Sequence, residues 1–316
     1  MRPWPNWIRR LASNQSDAGS SPAGRTKCLW ANWQSRCVEG AEIFRVRPPA
    51  STLHIPMSKA WPHNGKPLEQ HDNIVVAGYP KSGTIWLSTL LAEVLSCPSV
   101  GHVFYEDNKS VAIEGLDRGG DRVVWKTHYP PALTIKGPIR KERIIYVARD
   151  VRDVICSQTA SYVHHGRGEE SFDAPDKTLK KHAPKILGQV TTGKPFAEPW
   201  SRGFMKPTDN TSWQDHLKQW SAQGVFLCRY EDLLTHTAQV IWGFLYHINV
   251  EVDRDHIAQA IHNQSFEVKK KKLGKNVAAA KMRKGKHGTF SSVLNEKLLS
   301  VIQKRCGTVM KELEYC

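Results

Sequence analysis

The chain has 316 residues, of which 40% are hydrophobic. That is enough to bury a real core in one large or two modest domains, and it excludes a disordered chain. No apolar run approaches the roughly 18 residues that a membrane helix needs. The net charge of +15 points to an anionic partner: nucleic acid, an acidic membrane surface or a polyphosphorylated small molecule. A solvated basic surface gives the same balance. Seven cysteines, at 28, 37, 97, 156, 228, 306 and 316, are odd in number and match no zinc spacing. Cys156 and Cys228 sit inside apolar runs, as reduced core residues do. This argues against a disulfide scaffold and for a reducing, cytoplasmic setting.

Residues 1–68 differ from the rest of the chain. They are rich in Arg, Ser, Gly and Trp, poor in acids, and punctuated by Pro3, Pro5 and Pro22. The reading is a variable, partly flexible extension. An Arg- and Ser-rich start also fits an organellar transit peptide. From residue 69 a single larger domain is expected to run to 316. "NIVVAG" is a short apolar run typical of a buried parallel strand. "TIWLSTLLAEVL" places Leu87, Leu90, Leu91, Val94 and Leu95 at helical spacing. "RVVWKTH" and "RIIYVARD" read as further strands, and "DVRDVICSQTASYV" as a helix. Between about 164 and 215 periodicity is lost and Gly, Pro and His increase, which predicts an irregular, lid-like insertion. "GVFLCRYEDL" is a strand leading into the helix "TAQVIWGFLYHI", and "NEKLLSVIQKRCGTVMKELEY" closes the chain with helical spacing. Strands alternating with helices give an α/β class: a P-loop-like, mainly parallel sheet flanked by helices.

The loop after the first strand, "GYPKSGT", carries the chemistry. A loop at the carboxyl end of a parallel strand, entering a helix N-terminus, gathers backbone N–H groups and a positive dipole end around an anion. Gly78 and Gly83 allow close approach, Lys81 adds charge, and Ser82 and Thr84 add hydroxyls. A Walker A loop places its lysine after the second glycine. Here Lys81 precedes Ser82-Gly83-Thr84.

"YPKSGTIW" resembles the 5′-phosphosulfate loop of the sulfotransferases that use 3′-phosphoadenosine-5′-phosphosulfate (PAPS), which reads Y-P-K-S-G-T-T-W. "WKTHYP" is similar to the family's K-T-H-L-P. "YVARDVRDVICS" resembles its Y-V-A-R-N-x-[KR]-D-V-x-x-S, "RYEDL" its Y-E-D-L, and "MRKGKHGTF" its R-K-G-x-x-G-D-W. The five motifs occur in family order across about residues 70–295. The closest likeness in motifs is to the soluble, small-molecule branch.

That resemblance implies a set of roles. Lys81 would meet the 5′-phosphate and bridging oxygen, and Ser82, Gly83 and Thr84 would cradle the phosphate. Ile85 stands where the family has a second Thr, so one hydroxyl is lost while the backbone N–H remains. Trp86 would stack on adenine, with Tyr230 near the ring and Phe266 on its other side. Arg149 and Ser157 would bind the 3′-phosphate, with Arg283, Lys284 and Gly285 completing the clamp. His128 would be the general base, since imidazole titrates near working pH, and Lys126 would stabilise the sulfuryl group in transit. Asp150 replaces the family's common Asn and is expected to turn away or pair with Arg152. Thr289-Phe290 replaces Asp-Trp, which bears on the packing of that loop. The co-substrate would be PAPS and the product 3′-phosphoadenosine-5′-phosphate (PAP), with no metal and no nucleic acid. The acceptor would be a small phenol, alcohol or amine, and the oligomeric state stays open. His164, His165, Trp200, Phe204 and Trp213 are candidates for an acceptor pocket or for lid packing.

Two other classes compete. A P-loop kinase or hydrolase requires the Gly-Lys-Ser/Thr order and a metal-binding acid after a strand. A non-catalytic nucleotide-binding relic, or a basic nucleic-acid module, would not need Lys81, Lys126, His128, Arg149 and Ser157 together.

Overall fold

The computed structural model describes residues 73–102, 114–115, 117–118, 122–135, 139–166, 175–273 and 285–315. The extension over 1–68 lies outside them, as do Arg283 and Lys284. Among the described residues five strands form one sheet in the order β2-β3-β1-β4-β5. They are β1 (Ile74–Ala77), β2 (Ser99–His102), β3 (Val124–Thr127), β4 (Ile144–Ala148) and β5 (Phe226–Arg229). Every pairing between them is parallel. Parallel strands need crossovers, and the crossovers cover both faces with helices.

The apolar runs divide by alternation. Val75, Ala77, Ile144, Tyr146 and Ala148 face one buried cluster, and Ile74, Val76, Ile145, Val147 and Cys228 face the other. This period of two explains why the strands read as continuously hydrophobic. The first face is covered by α3 (Val151–Ser161), α4 (Asp176–Thr192), α6 (Trp213–Ser221) and α11 (Glu296–Glu312). The second is covered by α1 (Thr84–Val94), α8 (Thr237–His247) and α9 (Arg254–Asn263). The shorter helices are α2 (Pro131–Thr134), α5 (Pro199–Met205), α7 (Tyr230–Thr235) and α10 (Phe266–Leu273). Trp213 and Trp220 are the largest fully buried side chains among the described residues. Truncating either to Ala removes about 3–5 kcal/mol of packing.

The irregular run expected over 164–215 is corrected. A π-helical turn at Tyr162–Gly166 continues α3, and α4, α5 and α6 follow within the described part of that stretch. Leu179, Ala183, Ile186, Leu187 and Val190 make the buried stripe of α4. His182, Gln189 and Thr191 are buried on the same helix and Pro184 lies inside it. Those polar residues and the proline hide the period from a hydrophobicity reading. The helix ends at Gly193, whose φ of 74° suits glycine. A Cβ there would run into the Asn210 carbonyl. Ser212 caps α6 by accepting from the Asp215 N–H.

Candidate active site

The carboxyl ends of β1, β3, β4 and β5 lie side by side, in the registers Ala77 with Thr127, Ala77 with Tyr146, and Ala148 with Arg229. Strand order reverses at β1, and the crevice beyond such a reversal is where open α/β sheets bind ligands. Each motif from the sequence that falls on a strand leaves the sheet at this edge. The β1 loop turns on two left-handed residues, Lys81 at φ 74° and Gly83 at φ 95°. Gly83 is the N-cap of α1, and no side chain among the described residues caps that end. The first turn of α1 carries no acidic residue, so its exposed N–H groups and dipole remain favourable to an anion.

Gly83 has a second reason to be glycine. A Cβ at this position would sit 2.6 Å from the ring of Tyr230. Tyr230 opens α7 directly after β5 and is 7% exposed. The Trp86 ring meets it edge-on at 6.0 Å. The Arg149 guanidinium lies over it at 4.3 Å, a cation–π contact. Tyr230 therefore joins the β1 loop, the start of α1 and the end of β4. Burial raises its phenol pKa, with Arg149 opposing.

Arg149 is fixed from several sides. Its Nη1 donates to the Lys81 carbonyl at 3.0 Å and its Nη2 to the Lys286 carbonyl at 3.3 Å. Its Nε is buried with no hydrogen-bond partner among the described residues, and so is the Ser82 hydroxyl. Unpaired buried polar groups are rare and costly. These two lie on loops joined by the Arg149–Lys81 bond.

His128 follows β3 and is half-buried. Its Nδ1 lies 2.7 Å from the Gly78 carbonyl oxygen. A carbonyl can only accept, so Nδ1 carries the proton and Nε2 is the basic nitrogen of the neutral ring. The main chain of His128 is held in turn by His216, whose Nε2 donates to the His128 carbonyl at 3.0 Å. Tyr146 Oη lies 3.0 Å from the other His216 nitrogen and donates to it. His216 is fully buried, and desolvation lowers its pKa to about 4. Lys126 is 9% exposed on β3, opposite Val76 of β1.

Trp86, Gln264 and Phe266 form a second group. Trp86 Nε1 donates to the Gln264 carbonyl at 2.9 Å. Gln264 is 1% exposed, and its amide is held by Glu93 and Glu114. Phe266 lies two residues on, and Gly285, at φ 59°, is pressed so close that a Cβ would strike the Phe266 ring. Ile85 is 45% exposed at the start of α1.

Residues 71–314 match the sulfotransferase domain family. The chain belongs to the PAPS-dependent sulfotransferase family. Among curated sulfotransferases, bovine sulfotransferase 1A1 is 25% identical over 78% of this chain and 88% of its own length. Human sulfotransferase 1E1 is 25% identical over 72% of this chain and 81% of its own. Mouse sulfotransferase SULT7A1, solved in complex with PAP, shares the fold with a TM-score of 0.54 and 18% identity, covering 76% of this chain and 84% of that one.

Ser157 is half-buried on α3, about two turns from the Asp150 cap. Asp150 does pair with Arg152, through a 2.6 Å contact, and caps α3 by accepting the Arg152 N–H. The turn at Thr289–Ser292 is docked by Asp153, which accepts from the N–H groups of Gly288 and Thr289 at 2.6 and 3.0 Å. Phe290 lies 4.3 Å beneath the Arg152 guanidinium. The Thr-Phe pair of this sulfotransferase thus has a satisfied packing of its own. Trp213 is fully buried and donates its Nε1 to the Arg149 carbonyl at 3.2 Å, so it is core, not pocket lining. Trp200 and Phe204 stack at 4.9 Å, and His164 and His165 meet at 4.4 Å. The roles of Asp153, Gln264 and Glu231 were not foreseen from sequence. Asp153 and Glu231 lie inside the family-like motifs, which was the available signal. Among the described residues no helix is long and apolar enough to cross a membrane, and no His, Cys, Asp and Glu group could hold a metal.

Proposed function

We propose that this sulfotransferase moves a sulfuryl group from PAPS to the hydroxyl or amine of a small acceptor, with His128 as general base. The observation that carries the reading is the 2.7 Å bond from His128 Nδ1 to the Gly78 carbonyl. It leaves the basic Nε2 on the far side of the ring from that carbonyl. The acceptor oxygen or nitrogen forms its bond to sulfur as the bond from sulfur to the bridging oxygen breaks. His128 Nε2 takes the acceptor proton, and PAP leaves with the bridging electron pair. Charge then collects on the bridging oxygen, where Lys81 is assigned to meet it, and Lys126 is assigned to stabilise the sulfuryl group in transit.

The residues present fit the nucleotide. Ser82 Oγ and Arg149 Nε are buried donors without partners among the described residues, and the nucleotide would satisfy them with its two phosphates, the 5′-phosphate at Ser82 and the 3′-phosphate at Arg149. Thr84 and the N–H groups of Gly83, Thr84 and Ile85 complete the cradle at the α1 N-terminus. Arg149, Ser157, Arg283, Lys284 and Gly285 are assigned to the 3′-phosphate. Trp86 and Phe266 are assigned to the adenine faces, and Tyr230 holds Gly83, Trp86 and Arg149 in register. The acceptor, a phenol, alcohol or amine, is assigned to the helical block after α3, where Trp200 and Phe204 stack. A reducing, cytoplasmic setting belongs to the same proposal; Cys97, Cys156, Cys228 and Cys306 are buried, as small core residues are.

Calorimetry with PAP, and separately with ATP and magnesium, tests the reading. PAP binding without ATP binding is expected. ATP binding with none of PAP would overturn it.

A further inference from the structure

The peptide unit between Arg149 and Asp150 is held on both edges. Its carbonyl accepts from Trp213 Nε1 at 3.2 Å, and its N–H donates to Glu231 Oε1 at 3.2 Å. Glu231 directly follows Tyr230, the residue under the Arg149 guanidinium. One carboxylate therefore spans from the end of β4, at Arg149–Asp150, to the start of α7, at Tyr230. Its second oxygen accepts from the hydroxyl of Tyr315 at 2.9 Å. Burial and the neighbouring Glu231 hold the Tyr315 phenol well above its usual pKa, which keeps it a donor.

The segment after α11 is gripped at two more points. Arg152 Nη2 donates to the Tyr315 carbonyl at 2.6 Å, while its Nε bonds Asp150. Arg229 Nη1 donates to the Leu313 carbonyl at 2.8 Å, while its Nε and Nη2 bond Asp232. Two arginines inside the nucleotide motifs thus hold Leu313–Tyr315. Arg149, by contrast, keeps a buried Nε with no partner among the described residues.

We infer that Tyr315 is a positioning residue for the nucleotide site: through Glu231 it fixes the Arg149–Asp150 peptide and thereby the aim of the Arg149 guanidinium. This rests on the PAPS reading. Without the Tyr315 hydroxyl, one oxygen of the half-buried Glu231 loses its donor and the carboxylate turns, releasing the Asp150 N–H. Arg149 then samples orientations away from the anion.

The test compares the wild type, Tyr315→Phe and Val309→Ala, the last a core truncation in α11 outside the network. PAP affinity is measured by calorimetry, kcat at saturating PAPS, and thermal stability for each. Tyr315→Phe is expected to raise the PAP Kd about tenfold with kcat within about twofold. Val309→Ala is expected to lower stability at least as much with PAP Kd unchanged. If the wild type binds PAP and Tyr315→Phe binds it equally well, the positioning role is wrong and the PAPS reading stands. If Kd rises equally in both variants, Tyr315 acts only through stability and the inference falls. If the wild type does not bind PAP, both fall.

Discussion

The Nδ1 atom of His128 lies 2.7 Å from the carbonyl oxygen of Gly78, across the gap between β3 and β1. This bond joins the candidate base to the loop that carries Lys81. It also selects the tautomer with its basic nitrogen at Nε2. His128→Asn keeps an amide donor that can reach the same carbonyl but offers no base. Its kcat is expected to fall by about 10²–10⁴-fold, with PAP affinity within a few-fold of wild type. Steady-state rates and calorimetry on the same preparation check the separation. A parallel loss of PAP affinity would assign His128 to binding instead.

Ser82 offers a test in which stability and binding move in opposite directions. Its hydroxyl is buried and has no partner among the described residues. Removing such a group relieves a desolvation cost of about 1 kcal/mol or more. Ser82→Ala is therefore expected to be more stable to denaturant and to bind PAP more weakly. A variant that is both less stable and unchanged in binding would show that the hydroxyl is not a ligand for the phosphate.

Ile85 is exposed at the N-terminal end of α1, beside the loop proposed to hold the 5′-phosphate. Ile85→Thr restores a hydroxyl at the position where the family carries one. The exchange at an exposed, β-branched site should leave stability within about 0.5 kcal/mol. The KM for PAPS is expected to drop several-fold with kcat little changed. An unchanged KM would mean that the backbone N–H at 85 already supplies the whole interaction.

Most of the frame was legible because its signals are local. The apolar runs at 74–77 and 144–148 read as parallel strands, and the leucines of 84–94 as α1. The motif residues Lys81, His128, Arg149 and Tyr230 leave the sheet at one edge, as parallel topology requires. The helical block over 176–221 was not legible. Its buried faces include His182, Gln189, Thr191, Ser201 and His216, so polar residues break the hydrophobic period. β2 was missed because Ser99–His102 is a four-residue edge strand, SVGH, with little apolar pattern. The role of Glu231 depends on Tyr315, 84 residues away, and no spacing rule reaches that far.

His216 makes stability depend on pH. Burial lowers its folded pKa from 6.5 to about 4, so the unfolded chain binds this proton first as pH falls. Its contribution is complete above pH 6.5 and is lost progressively between 6.5 and about 4. The loss from this one group is about 3 kcal/mol. Denaturation midpoints across that range should slope downward toward acid, and His216→Gln should flatten the slope. An unchanged slope would mean that other groups set the acid limit.

Sulfuryl transfer itself is the most direct test of the central claim. The purified protein is incubated with [³⁵S]PAPS and a panel of phenols, alcohols and amines in buffer containing a chelator. Label is expected to pass to at least one acceptor, and His128→Ala is expected to abolish that transfer while still binding PAP. Transfer undiminished in His128→Ala, or a wild type that binds PAP and transfers label to none of these acceptors, would contradict the account.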